Sequence, residues 1–361
     1  MRLLRRLLLI GLIAALVIVM VRSMFHMLGA GLFGVDIEIP LRAARRWLAG
    51  EPPYLASSFT LTSGPNLPFL YPPVTLPLYA VLTVLPRTLA HVLGVAAMGA
   101  AGIAACRRLS IPWLWVPLFL IWPPFSEGIE HANIQVALFA AFVYLFYAPG
   151  GTPWEPRPRD IKDPATSGLM VGGLATLIGV FKVSQPHPWI YALRHRPRAA
   201  IAGAAGALLV VAATLALTGV PLWLSWVEQL RLASNPAWVA GGFALPRYLP
   251  SGLGLALAAI CLAAVPFVPR QSAGPWIGLL SLIGSLSLHI FGLLFLLPAM
   301  LRIRREVALI AAILIATEVH WAIWVAILIC TVAFVASAQW PNLREVQRVV
   351  ARRGPTARAE G

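Results

Sequence analysis

The hydrophobic residues of this chain fall into long blocks instead of the single-face stripe of a soluble helix. Residues 7–21, 199–217 and 319–338 are almost unbroken apolar runs. Runs that approach about 20 residues match the thickness of the hydrocarbon core of a bilayer. Because lipid offers no hydrogen-bond partners, the backbone polar groups of such runs must pair within the segment. The pattern therefore predicts an all-α protein with transmembrane helices.

The composition supports the same class. Hydrophobic residues make up 59% of the 361-residue chain and charged residues only 11%, whereas a soluble domain carries about a quarter charged residues. We therefore expect one polytopic transmembrane helical bundle over residues 1–340. A basic cytoplasmic tail without fixed structure is expected at residues 341–361.

The distribution of charge predicts the orientation. The net charge is +15, but the arginines form short clusters between the apolar blocks, which argues against a nucleic-acid-binding face. Such clusters mark cytoplasmic loops, and placing them inside predicts about 9–12 crossings with both termini in the cytoplasm. The expected location is the plasma membrane. The first apolar block comes after Arg2, Arg5 and Arg6, as in a signal peptide, but no small-residue cleavage site follows it. We therefore interpret the block as a retained span.

The sequence indicates no cofactor and no metal. Cys106, Cys261 and Cys330 lie in or beside apolar blocks without paired spacing. This spacing predicts neither a disulfide framework nor a metal site.

One predicted external loop breaks the charge rule. The loop after the first span carries Arg42, Arg45 and Arg46. Pro40 suits the first turn of a helix and Gly50 suits its end. The apolar residues between them share one helical face and the arginines share the other. The pattern predicts an amphipathic helix that lies on the outer membrane surface.

Asp36 is the most informative acidic residue. The chain has only three aspartates, and Asp160 and Asp163 lie in a basic, proline-rich loop where solvation is the ordinary role. Asp36 stands at the outer end of the first span, and two interpretations are open. It caps the surface helix by accepting backbone N–H bonds, or it is a general base that takes a proton from an acceptor hydroxyl. Glu38 is a candidate auxiliary carboxylate.

Other polar residues lie near the predicted outer face or within apolar blocks. Glu127, Glu130 and His131 belong to the second external loop. His289 lies amid apolar residues, where an ionisable group is a site candidate, and a histidine bonded to a backbone carbonyl is the alternative. Phosphate binding is one interpretation of Arg22, Lys182, Arg231 and Arg247. Snorkelling of these side chains to the membrane interface is the alternative. The candidates for binding a phosphate group or another part of a substrate are Arg22, Tyr71, Asn133, Gln135, Lys182, His187, Arg231 and Arg247.

Several short motifs follow one another along the chain. The first loop contains Asp36, Ala44, Gly50, Pro53, Tyr54, Phe69, Tyr71, Pro72 and Pro73. Asn133-x-Gln135 stands at the polar start of a later span, a glycine-rich stretch at 172–182 ends in Lys182, and Ser285-x-x-x-His289 lies in a late apolar span. In this order and spacing the motifs resemble glycosyltransferase family 87, whose members are polytopic enzymes of the GT-C class.

The resemblance implies a reaction. Family members take a sugar from a polyprenyl phosphate on the outer membrane face and invert its configuration, and some are mannosyltransferases. By position, Asp36 would be the base and His289 would line the site. The implied function is transfer of a hexose, mannose before others, to a glycolipid or glycan acceptor without a nucleotide sugar.

Two other functions stay open. A transporter or flippase for a lipid-linked intermediate would carry ionisable groups near mid-membrane and would show repeats. Here the polar groups cluster at one predicted face and no repeat is found, which favours an enzyme. An inactive partner subunit is the second alternative, because Ile37 to Pro40 follow Asp36 where the family often has an aromatic residue.

Overall fold

The computed structural model of the chain describes residues 2–60, 66–152, 155–182, 185–233 and 242–352. Sixteen α-helices occur within these ranges. The first eight are α1 (Arg2–Ala30), α2 (Val35–Leu48), α3 (Leu76–Leu82), α4 (Arg87–Arg108), α5 (Val116–Ile121), α6 (Pro123–Glu130), α7 (Gln135–Phe146) and α8 (Gly168–Phe181). The others are α9 (His187–His195), α10 (Pro197–Thr218), α11 (Val220–Ala233), α12 (Ser251–Ala264), α13 (Ala273–Ile283), α14 (Leu297–Met300), α15 (Arg305–Ala316) and α16 (His320–Arg352).

Short 3-10 segments and one hairpin complete the described structure. The strands β1 (Tyr147–Thr152) and β2 (Glu155–Pro158) pair antiparallel in the loop between α7 and α8. The 3-10 segments are Ala56–Thr60, Pro73–Thr75, Trp113–Trp115, Leu245–Tyr248, Val265–Phe267, Arg270–Ser272 and Ile290–Leu296. The prediction of an all-α polytopic protein is confirmed, with this hairpin as a small addition.

Four helical segments of the described chain are long and apolar enough to cross a membrane. They are Leu3–Phe25, Arg87–Arg108, Pro197–Thr218 and His320–Ser337. Five shorter apolar segments are Pro73–Leu82, Gln135–Phe146, Gly168–Phe181, Gly252–Phe267 and Ile290–Met300. Only 11–33% of the residues in the most apolar window of each long segment are buried inside the protein, as expected for helices that face lipid.

The short helices have local causes. The apolar block at residues 111–125 is divided at Trp122, because Pro123 and Pro124 have no backbone N–H to continue α5. The chain resumes as α6 with the prolines in its first turn, where a missing N–H costs nothing. The turn beyond α6 carries the polar residues of the candidate site.

Two kinds of contact hold the bundle together. Phe142 packs against Phe146 at 4.8 Å and against Phe295 at 4.9 Å between ring centroids, at the centre of the core. Elsewhere helices approach through glycine: a Cβ added to Gly172 or Gly203 would overlap the backbone of the other helix where α8 crosses α10. Small residues allow such close crossings of membrane helices.

The surface helix differs in detail from its prediction. It begins at Val35, so Pro40 lies inside it instead of in its first turn. The cap residue is Gly34, at φ 68°, and no side chain caps the helix. Asp36 is therefore not the helix cap, and that interpretation was wrong. The side of α2 that includes Ile37 and Leu41 is buried against the protein.

Candidate active site

Asp36 is positioned by backbone contacts between α2 and the end of α6. The N–H of Gly34 donates to the carbonyl of Glu130 at 2.8 Å, and the N–H of Asp36 donates to that of His131 at 2.9 Å. Gly34 adopts a positive φ that L side chains rarely allow. A Cβ there would also lie 2.7 Å from Cγ of His91. The start of α2 is thus fixed against two neighbouring helices.

The Asp36 carboxylate is held by a side chain from the next turn. Nδ2 of Asn133 donates to Oδ2 of Asp36 at 2.7 Å, and Nδ1 of His131 lies 3.9 Å from the same oxygen. Ala132, between these two residues, has a φ of 56°, an uncommon value for a residue with a Cβ. This sharp turn directs both neighbours toward Asp36, whose side chain is only 19% exposed.

Burial and charge act in opposite directions on this carboxyl group. Burial raises the pKa of Asp36 above its ordinary value, while the bond from Asn133 and the nearby His131 and Lys182 lower it. A raised pKa makes a carboxylate a better proton acceptor. The position has the electrostatic character of a general base.

Lys182 is the cation that acts on Asp36 from another element. It directly follows α8, and burial lowers its pKa to about 8, against the effect of Asp36. A half-buried ammonium that is still charged near neutral pH attracts anions strongly, because few waters compete for it. This cation lies close enough to Asp36 to take part in the same site.

A second carboxyl group lies nearby on α6. Burial, together with the charges of Glu318, Glu130 and Asp36, raises the pKa of Glu127 to about 8. Glu318 accepts a hydrogen bond from the hydroxyl of Ser23 on α1. Because its pKa is about 8, the Glu127 carboxyl group is mostly protonated at neutral pH.

A buried polar cluster extends from Asn133. Oδ1 of Asn133 accepts the N–H of Gln135, and Nε2 of Gln135 donates to Oε1 of Gln185 at 3.1 Å. Burial lowers the pKa of His187 to about 4, so its ring is neutral. The described residues offer no hydrogen-bond partner to Oε1 of Gln135, Nε2 of Gln185 or either ring nitrogen of His187.

A group of aromatic rings lies near Asp36. Tyr71 lies 6.4 Å from Tyr79 and 5.8 Å from Phe69 between ring centroids. The charge of Asp36 acts on both phenols, and burial strongly raises the pKa of Tyr71. Aromatic faces next to a carboxylate suit the apolar faces of a sugar ring.

Other candidates from the sequence have different surroundings. Glu38 is buried, shares a hydrogen bond with Nε2 of His91 at 2.9 Å, and forms ion pairs with Arg87 at 3.3 Å and Arg45 at 3.4 Å. These contacts anchor α2 to the start of α4. His289 stacks on Phe291 at 5.5 Å.

The other candidates lie in different parts of the structure. Phe291, the stacking partner of His289, lies beside Gly128 on α6, because its Cβ would be 3.2 Å from a Cβ added to that glycine. Arg22 is exposed on α1, and Arg231 pairs with Glu228 at 2.6 Å on an exposed surface. The side chain of Arg247 lies outside the described part of the chain.

The structure thus brings Asp36, Tyr71, Asn133, Gln135 and Lys182 together. Sequence analysis did not single out Tyr79 or Gln185. Gln185 could have been found, because it is a polar residue three positions after Lys182. Among the described residues, no group of three or more His, Cys, Asp or Glu side chains could hold a metal ion.

The fold and this site define a polytopic helical membrane protein with a half-buried carboxylate near a half-buried cation. The model of glycosyltransferase family 87 matches residues 69–275, more than half of the chain. The chain belongs to this family and is a glycosyltransferase, as the sequence motifs predicted. No curated protein and no solved structure matches it. Lys182, Asn133 and Tyr71 lie within the matched range, whereas Asp36 and His289 lie outside it.

Proposed function

We propose that the protein transfers a hexose, mannose before others, from a polyprenyl-phosphate donor to a glycolipid or glycan acceptor with inversion. The reaction takes place on the extracytoplasmic side of the plasma membrane, with both termini in the cytoplasm. The observation that supports the proposal most strongly is the environment of the Asp36 carboxylate. Asn133 orients it through a hydrogen bond, and its negative charge interacts with the positive charge of Lys182.

Each bond change in this reaction has a residue to assist it. The acceptor hydroxyl oxygen attacks the anomeric carbon while Asp36 takes the hydroxyl proton. The bond from the anomeric carbon to the phosphate oxygen breaks, and polyprenyl phosphate leaves with the electron pair. Lys182 stabilises the negative charge that develops on this phosphate. A single base suffices because inversion is one direct displacement.

The arrangement of polar groups favours this function over transport. The polar groups interact with one another near the turn between α6 and α7 and do not form a path through the bundle. They are Asp36, Asn133, Lys182 and Glu127. An inactive partner subunit would have no need to keep a base in this orientation.

The test compares the wild type with Asp36→Asn, an isosteric variant that cannot accept the proton. Membranes that contain either protein receive radiolabelled polyprenyl-phosphate-mannose, and label is followed into glycolipid and polymer fractions. We expect Asp36→Asn to reduce transfer by about 10²-fold or more, the usual contribution of a general base. Asp163→Asn is the matched control, because Asp163 is exposed and its Oδ1 only accepts a local backbone N–H.

The product gives a second readout. Inversion predicts a product linkage of the opposite anomeric configuration to the donor, which NMR of the purified product detects. Equal transfer by the wild type and Asp36→Asn would remove the base from this mechanism. Transfer from a nucleotide sugar, but not from the lipid donor, would overturn the donor class.

A further inference from the structure

A groove with a volume of about 790 Å³ lies between α8 and α10 and opens at the protein surface. Most of the residues that line it are glycine, alanine or proline. The two helices touch at Gly172 and Gly203. Gly173 and Gly206 also line the groove, and no described atom lies within 4 Å of a Cβ added to either of them. The missing side chains therefore leave open apolar space along both helices, which we call the α8–α10 groove.

One end of the α8–α10 groove is basic. Arg196 and Arg198 line it there. Nη1 of Arg196 donates to the carbonyls of Ile161 and Thr166, and Nη2 would lie 3.7 Å from a Cβ added to Gly168. The guanidinium group is thus held by the loop on one edge and faces the groove with the other. The Arg198 side chain is exposed, and within the described part of the chain it forms no ion pair.

Two helices also begin at this end. α8 starts at Gly168 and α10 starts at Pro197, and both residues line the groove. The N-terminus of a helix has a partial positive charge and backbone N–H groups without partners in the helix. Phosphate oxygens bind to such termini. The backbone therefore adds to the attraction that the two arginines exert on an anion.

The surroundings of this end have an excess of positive charge. Residues 157–163 and 194–198 contain six arginine or lysine residues and two aspartates. Burial and the positive charges nearby lower the pKa of His195. The cations are Lys162, Arg270 and Arg194, and they act against Asp160. Among the described residues, none that lines the groove has a carboxylate to neutralise the arginines.

A basic end that continues into an apolar groove matches the shape and charge of a phospholipid. Gly206 lies about 12 Å along the axis of α10 from Arg198, so a chain bound at the arginines extends well into the apolar part of the helix. The charge distribution predicts that the basic end is cytoplasmic. Basic pockets between transmembrane helices on this side bind the head groups of acidic phospholipids.

Two other occupants fit the groove less well. All copies of a membrane protein insert in the same orientation, so a second copy with two-fold symmetry would bring its own basic end to the same level, and like charges repel. The proposed sugar donor would place its phosphate at Lys182. This lysine follows the opposite end of α8, about 20 Å along the axis from Gly168.

We propose that the α8–α10 groove binds an anionic glycerophospholipid of the cytoplasmic leaflet as a resident lipid, separate from the substrates. Its phosphate lies against Arg196 and Arg198, and one acyl chain lies along Gly173 and Gly206. Only the choice of leaflet rests on the orientation in the proposed function. Binding of the lipid is measured without any transfer of sugar.

The experiment measures lipid binding to the purified full chain in neutral detergent by native mass spectrometry. The probes are phosphatidylglycerol, which is anionic, and phosphatidylcholine with the same acyl chains, which is zwitterionic. We expect the wild type to prefer phosphatidylglycerol. Arg198→Gln should bind this lipid about fivefold more weakly, the effect of one arginine next to an anionic lipid, and should bind phosphatidylcholine as the wild type does. Arg194→Gln is the matched control, because Arg194 is exposed in the same cluster but does not line the groove.

A second pair of variants tests the apolar part of the groove. Gly173→Leu places a branched side chain in the space proposed for the acyl chain, so binding of phosphatidylglycerol should fall about fivefold or more. Gly179→Leu is its control on the same helix. No described atom lies within 4 Å of a Cβ at Gly179 either, but Gly179 does not line the groove, so binding should stay within about twofold of the wild type. All variants are first tested for a single symmetric peak in size-exclusion chromatography.

Three results would overturn the proposal. They are equal affinity of the wild type for the two lipids, an equal loss of binding in Arg194→Gln, and a Gly173→Leu variant that binds phosphatidylglycerol as the wild type does.

Three further results would assign the groove to another occupant and so contradict the proposal. Displacement of the lipid by millimolar glycerol 3-phosphate would show a site for a free anion. Displacement by an equal concentration of polyprenyl phosphate would show a site for the sugar donor. A dimer that disappears in Gly173→Leu, while lipid binding persists, would show an interface with a second copy. Asp36→Asn should bind phosphatidylglycerol as the wild type does, so the catalytic proposal and this one fail independently.

Discussion

Asp36 and Lys182 carry opposite charges, and burial opposes ionisation of both. The pKa of Asp36 is raised and that of Lys182 is lowered to about 8. A base must be deprotonated to act, so activity falls as the pH drops through the raised pKa of Asp36. A phosphate-stabilising lysine must be protonated, so activity also falls as the pH rises through about 8. The expected pH profile is a bell.

Lys182→Arg tests the alkaline side of this bell. Arginine stays charged at every accessible pH, so we expect the alkaline decline of the transfer rate to disappear or move up by at least about one pH unit. The measurement is kcat/KM for transfer against pH. Because the pKa of Glu127 is also about 8, Glu127→Gln is the control. If the alkaline decline of the transfer rate shifts in Glu127→Gln but not in Lys182→Arg, the group that titrates there is Glu127.

Asn133→Ala tests the acid side. The bond from Asn133 lowers the pKa of Asp36, so its loss should raise that pKa and move the acid limb of the profile to higher pH. Transfer should recover when the pH is raised above the new limb. A uniform loss of rate at all pH values would instead show that Asn133 contacts the substrate.

The sequence indicates the residues of the site better than their contacts. Asp36 is conspicuous because the chain has three aspartates, and Lys182 because it has two lysines. The bond between Asp36 and Asn133 joins positions 97 residues apart. It depends on the positive φ of Ala132, which no local pattern predicts for alanine. Long-range packing therefore determines which candidate residues meet.

At the scale of elements, helix starts and crossings depend on glycine. The sequence predicted that Pro40 lies in the first turn of α2, but Gly34 lets the chain turn against α6, and the helix begins at Val35. The apolar blocks correctly predicted helices, since lipid-facing backbone leaves no other choice. Within the sequence, only Pro123 and Pro124 indicate that the apolar block at residues 111–125 is divided at Trp122.

Gly172→Ala tests the crossing of α8 and α10. The added methyl group would overlap the backbone at Ala199, so the helices must separate, at a cost of about 1–3 kcal/mol in the free energy of unfolding. The measurement is thermal or denaturant unfolding of the protein in detergent. Gly173→Ala is the matched control, because nothing lies within 4 Å of a Cβ there, and it should be neutral or slightly stabilising. Equal effects of the two variants would show that the crossing tolerates a side chain.

At the scale of the whole molecule, the orientation decides which substrates can reach Asp36. A lipid-phosphate donor on the outer face requires α2 and its loop to be outside. The basic loop between β2 and α8 should then be in the cytoplasm. Both loops contain an exposed alanine, Ala56 and Ala165, which allows a matched test.

Single cysteines at these alanines report the side of the membrane. The three native cysteines are buried, so they should give little background labelling. We expect Ala56→Cys to react with a membrane-impermeant maleimide in intact cells, and Ala165→Cys to react only after permeabilisation. The reverse pattern would place Asp36 in the cytoplasm and would contradict an extracytoplasmic reaction.

The contacts of α1 also bear on the order in which the protein is made. Arg5 pairs with Glu306 and Ser23 donates to Glu318, so both ends of the first helix bind residues near the ends of α15. A ribosome completes α1 some three hundred residues before these partners exist. These two contacts can therefore form only after most of the chain has been synthesised, whereas the contacts of α1 with α5 and α6 can form earlier. The largely exposed apolar surface of α1 suits a helix that faces lipid on most sides until α15 is inserted.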